Sequence, residues 1–190
     1  LSAKPVSDPA KTLPDGSYTL TLNSSYQKGA LRVIIKGGSG ATMTCDIPTG
    51  CGNGIVFGQP TPLSDTFRLA AVTPAPGSTT VSVHINALTD LADKIAAKDG
   101  YNKASSITGA NDRIRQAFSL GADITSIKSI DITKASSIGS GDLNSRQLAL
   151  VSAALLSAVA KGDEANFEKR LSDFATQVGT DGGLVKNDDD

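Results

Sequence analysis

Few residues in this chain combine the types and spacings that chemistry requires. The two cysteines, Cys45 and Cys51, stand in CDIPTGC with five residues between them, Pro48 and Gly50 included. Proline and glycine favour a turn there, so the pair is expected to close a small disulfide loop. Two free thiols and a metal half-site are the alternatives, although two sulfurs with no nearby histidine do not complete a tetrahedral zinc site. His84 is the only histidine. A Ser-His-Asp triad would have to use it, and no Gly-x-Ser-x-Gly elbow supplies the serine. Strand alternation in TTVSVHI puts it on an outer face, as a surface or structural histidine. Ser25-Tyr26-Gln27-Lys28 fits the Ser-x-x-Lys spacing of penicillin-binding enzymes. The companion Lys-Thr-Gly and Ser-Asp-Asn elements do not occur, so this is read as a chance match in a turn. Gly37-Gly38-Ser39-Gly40 precedes a strand rather than a helix, which makes it a hairpin turn and not a phosphate loop.

The acids are numerous, with Asp outnumbering Glu seventeen to two. Asp181, Asp188, Asp189 and Asp190 crowd the end without the Asp-x-Asp-x-Asp-Gly run of a calcium loop. A solvated tail is expected, with weak or interprotomer calcium binding as the alternative. Asp90 and Asp93 are placed on the exposed side of a helix, Asp90 pairing with Lys94 four residues on. Asn23-Ser24-Ser25 is a glycosylation sequon. No catalytic residue, cofactor or metal ligand is assigned.

The rest of the 190-residue chain must position these groups. A net charge of −1 gives no electrostatic basis for non-specific nucleic-acid binding. No apolar run reaches the ~18 residues that cross a bilayer, so no transmembrane segment is expected. The first residue is leucine and no leader pattern follows it, as in a processed protein or a fragment. A disulfide implies an oxidising compartment. Abundant Ser, Thr, Asp and Gly suits a secreted bacterial protein.

The hydrophobic period changes near residue 85. Before it, short alternations sit between Gly and Pro punctuation: SYTLTL (17–22), LRVIIK (31–36), ATMTC (41–45), IVF (55–57), FRLAAV (67–72) and TTVSVHI (79–85). Strands at this spacing predict a small antiparallel sandwich, with about six strands and one strand lacking. After Asn86 the period is helical. The first helix starts at an Asn86 cap and buries Leu88, Leu91, Ala92 and Ile95. The second runs over 105–119, with Ile107, Ala110, Ile114 and Phe118 inward. The third runs over 142–160 from an Asp142 cap, with Leu148, Val151, Leu155 and Val159 inward. The fourth runs over 163–178 from an Asp163 cap, burying Phe167, Leu171, Phe174 and Val178, and Gly179 ends it. In the 122–139 connection, Asp123-Ile-Thr and Asp131-Ile-Thr are expected to set turns. The fold expected is α+β: an arm at 1–16, an Ig-like β-sandwich at 17–85, a bundle of about four α-helices at 86–180 and a polar tail at 181–190.

DGSYTLTL resembles the late strand of the carboxypeptidase-regulatory-like, Ig-like modules of bacterial surface proteins. INALTDLADKIA, GANDRIRQAFSL, DITSIKSIDIT, LALVSAALLSAVA and FATQVGTDGGL resemble the helical region of large bacterial secreted proteins and lipoproteins. The resemblance covers most of residues 15–185 and departs at Ala87, where proline is common. It implies a surface or extracellular location and a non-catalytic role, and it carries over no site residue.

The function expected is that of a non-enzymatic extracellular or cell-surface structural protein. It acts by self-association, as a filament subunit with strand complementation from residues 1–16, or by adhesion. The alternative is a ligand-binding module for a carbohydrate, peptide or calcium-linked ligand, with Tyr26 and Tyr101 as sugar platforms. Partners are thus a second copy, or a cell-surface or glycan partner.

Overall fold

The computed structural model describes residues 4–24, 26, 29–76, 80–101 and 103–181. LRVIIK is rich in β-branched residues and forms strand β1 (Leu31–Lys36). β2 (Thr42–Thr44) and β3 (Pro60–Pro62) are short, and β4 (Arg68–Thr73) is the second full-length strand. β1 pairs with β4 and β2 with β3, both antiparallel, as two separate two-stranded sheets. Gly37–Gly40 therefore links two different sheets and does not turn a hairpin.

The Gly37 N–H donates to the Phe67 carbonyl at 3.0 Å, one step beyond the register pair Lys36–Arg68. In an antiparallel pair, hydrogen-bonded and non-hydrogen-bonded positions alternate. Leu31, Val33 and Ile35 thus exchange bonds with Thr73, Ala71 and Leu69. The backbone groups of Arg32, Ile34 and Lys36 point away from β4, and those of Ala70 and Val72 point away from β1.

The helices are α1 (Ala87–Asp99), α2 (Ala104–Ala117), α3 (Ala135–Ser140), α4 (Leu143–Ala160) and α5 (Phe167–Asp181), with a 3-10 turn at Glu164–Asn166 before α5. Asn86 caps α1: its side chain accepts from the Leu88 and Thr89 N–H groups, and Thr89 answers its backbone N–H. Asp142 caps α4 by accepting from the Ser145 N–H at 2.8 Å. The two Asp-x-Thr segments form matching turns. Asp123 accepts from the Thr125 N–H and hydroxyl at 2.7 and 2.5 Å, and Asp131 from those of Thr133 at 3.0 and 2.5 Å. α1 lies centrally and packs on β4, α2 and α5. A single core joins Cys45, Ile47, Phe67 and Val72 from the first half to Leu88, Leu91, Ile95, Ile107, Leu148 and Leu171 from the second.

Two further expectations are corrected. No sandwich exists among the described residues. The stretch 80–85 uses its hydrogen bonds elsewhere: the His84 N–H donates to the Thr125 carbonyl at 2.8 Å, and the Val83 carbonyl accepts from the Tyr18 hydroxyl at 2.6 Å. The stretch 17–22 contributes one bridge, Ser7–Leu22. Residues 55–57 form no strand: they run between turns at 53–54 and 57–58, with the Ile55 N–H bonded to the Gly52 carbonyl at 2.9 Å. The other correction is at Gly179, which does not stop α5. A Cβ there would lie 2.6 Å from the Lys94 Cβ, so the missing side chain is what lets α5 lie against α1.

Candidate functional site

Cys45 and Cys51 form the disulfide, with S–S 2.11 Å and Cα–Cα 5.9 Å. Both are buried, and Ile47 inside the loop is part of the core. The bond closes the short loop between β2 and β3, and both cysteines pack in the same core as the helices. His84 is half-buried, and burial, followed by nearby Lys128, lowers its pKa. Ser25, Lys28 and Asp188–Asp190 lie outside the described residues. Among the described residues, no group of three or more His, Cys, Asp or Glu side chains is placed to hold a metal.

Asp90 and Asp93 contradict the sequence reading. They are 4 % and 0 % exposed, and they face the β1–β4 sheet instead of solvent. Arg32 donates to both Asp93 oxygens at 2.7 and 2.6 Å, a bidentate pair. The Tyr101 hydroxyl donates to Asp93 Oδ1 at 3.0 Å, and the Arg32 guanidinium sits 5.9 Å from the Tyr101 ring centroid. The bond to Asp93 raises the Arg32 pKa, and burial raises that of the Tyr101 hydroxyl, with the Asp93 charge adding to it. Arg32 lies over one face of Tyr101, and the residue is half-buried. The signal in the sequence was an arginine inside the apolar run LRVIIK, a charge that a carboxylate on a packed helix can answer.

Asp90 serves the sheet differently. It accepts from the outward N–H of Ala70 at 2.9 Å. Asn111 of α2 donates to the outward carbonyl of Val72 at 3.3 Å. Two buried helix side chains thus take the place of a third strand and close the outer edge of β4. This is the physical reason that the sheet does not extend on that side.

The other edge differs. The outward backbone groups of Arg32, Ile34 and Lys36 have no hydrogen-bond partner among the described residues, because β1 pairs with β4 alone. Ile34, at the middle of this edge, is 40 % exposed. An unpaired row of N–H and C=O groups along a six-residue strand is a template for another strand.

Three further surfaces stand out. A groove of ≈ 780 Å³ between α4 and α5 is lined by Asp163, Lys169, Arg170 and Asp173. Its charges answer one another, Lys169 with Asp173 at 2.6 Å and Arg170 with Asp163 at 3.5 Å. A smaller groove of ≈ 430 Å³ runs between Pro48–Thr49 of the disulfide loop and Ala154 and Ala158 of α4. α4 itself, 18 residues with mean hydropathy 1.2, has the length and composition of a membrane span, which the reading of the sequence did not find. It buries Leu148, Ala153, Leu155, Leu156 and Ala160 in the core, while Leu143 and Leu150 are 78 % and 64 % exposed.

No protein-family model, curated protein or solved structure matches the chain.

Proposed function

We propose that the chain is a non-enzymatic structural protein of an extracellular or cell-surface setting that acts by self-association. The observation that carries this reading is the asymmetry of the β1–β4 sheet. One edge is closed by Asp90 and Asn111, and the other presents unpaired backbone groups around a half-exposed isoleucine. Strand addition to such an edge supplies main-chain hydrogen bonds without a specialised pocket. The buried disulfide supports the oxidising compartment.

Two geometries of assembly follow. An arm made of residues 1–16 donated to the next copy would propagate into a filament. Of that arm, Val6 and Ser7 are seated on the same chain, against Asn23 and Leu22. Pairing of equivalent edges closes at a dimer. Sedimentation velocity and negative-stain electron microscopy of the native protein at several concentrations test the reading. Concentration-dependent dimers or filaments are expected, and a monomer at every concentration would refute it.

A further inference from the structure

We propose that the open edge of β1 is occupied by β1 of a second copy, paired antiparallel about Val33 across a two-fold axis to make one four-stranded sheet. The inference rests on the self-association reading and names its surface and partner.

Register selects the pairing. The outward groups belong to Arg32, Ile34 and Lys36, so in any antiparallel self-pairing these residues must lie opposite one another. Centring the pair on Arg32 sets two arginines face to face. Centring it on Ile34 sets Arg32 against Lys36 twice, and like charges directly opposite destabilise a sheet. Centring it on Ile35 leaves only Ile34 and Lys36 to exchange bonds. Centring it on Val33 avoids all three problems. Val33 meets Val33 of the second copy and Leu31 meets Ile35, while Arg32 meets Ile34 and Lys36 meets Ala30.

In that register one face carries an unbroken apolar ladder, and every outward group of Arg32 and Ile34 finds a partner. Val33 and Ile35 are only half-covered within one copy, so the pairing buries them further. The charge of Arg32 is already answered by Asp93, which removes the usual guard of an edge strand from the middle of this one. Lys36 remains at the strand end, opposite a small residue. Pairing of equivalent edges is isologous and closes as a dimer.

The test uses four variants of the full chain. Val33→Cys is expected to form an intermolecular disulfide under mild oxidation, and Ile35→Cys to form much less, because its opposite residue is Leu31. Ile34→Pro removes an N–H that the β1–β4 ladder does not use, a position where an edge strand tolerates proline. Ile34→Lys places a charge at a half-exposed position and guards against a folding defect in the proline variant. Both are expected to weaken the dimer by ~tenfold or more in sedimentation equilibrium, with unchanged circular dichroism. If the native chain associates, but both Ile34 variants associate equally and Val33→Cys cross-links no better than Ile35→Cys, the edge proposal is overturned and self-association stands. If the native chain is monomeric at every concentration, both fall.

Discussion

The backbone N–H of Ala70 in β4 donates to the Asp90 carboxylate of α1 at 2.9 Å. That bond decides which edge of the sheet is available, because Asp90 and Asn111 together occupy the side on which a third strand would add. The molecule closes one edge with helix side chains and leaves the other open among the described residues. The helices thus limit the sheet as well as covering it.

Asp90 is therefore expected to matter for stability more than a helix-surface acid would. Asp90→Leu leaves the buried Ala70 N–H unpaired, at a cost of ~1–3 kcal/mol. Asp90→Asn keeps a carbonyl acceptor and is expected to cost less. Urea unfolding of the two variants measures the difference, and equal small losses would contradict the role assigned to this bond.

The Arg32–Asp93 pair predicts an asymmetry between single and double variants. Asp93 has no exposed side-chain surface, whereas Arg32 is 40 % exposed. Arg32→Met strands a buried carboxylate with only Tyr101 to solvate it, an expected loss of ~3 kcal/mol. Arg32→Met combined with Asp93→Leu removes the stranded charge and is expected to recover much of that loss. A double variant as unstable as the single one would show that the pair is not the source of the effect.

Removing the Cys45–Cys51 bond, by Cys→Ala at both positions, frees a short loop in the unfolded chain and disturbs two core residues. The expected cost is ~2–4 kcal/mol, or a fall in Tm of ~5–15 °C for a chain of this size. A differential scan with and without reductant gives the same comparison in the native sequence. An unchanged Tm after verified reduction would contradict the structural role of the bond.

Asp46, inside the disulfide loop, predicts a pH dependence. Burial, with the Asp131 charge adding to it, pushes its carboxyl up to about 6 from an ordinary 3.8, and its Oδ1 is buried without a hydrogen-bond partner. The folded state then binds more protons than the unfolded state between those values. The stability from this group is fully present below pH ~4 and lost as pH rises through ~6. Asp46→Asn should remove that fall and be more stable than the native chain at pH 7, by ~1–2 kcal/mol. Parallel stability–pH curves for the two proteins would refute this.

Much of the helical half was legible in the sequence. Asn86, Asp142 and the inward Leu88, Leu91, Ile95, Ile107, Ile114, Leu148 and Leu171 all sit where a period of 3.6 and capping chemistry put them. β1 matches its alternation residue for residue. That these segments do not assemble into a sandwich was not legible, because alternation reports that a segment suits a strand and says nothing of whether a partner edge is free. TTVSVHI has the pattern, yet the β4 edge was already closed by Asp90 and Asn111. Those same residues explain why the candidate site was missed. Asp90 and Asp93 look like a solvated face when α1 is read alone, and their burial follows only once β4 and Arg32 are brought against that face. Gly179 follows the same logic, since a glycine late in a helical run reads as a stop until a second helix is seen to need the space.

The most direct test of the central claim is amide hydrogen exchange of the native chain as a function of concentration, read at Ile34 and Ala70. The account predicts that the Ala70 amide is protected at every concentration. It predicts that the Ile34 amide exchanges freely in dilute protein and becomes protected as the protein associates. An Ile34 amide that is protected in the dilute monomer, or that stays unprotected in the associated form, would contradict it.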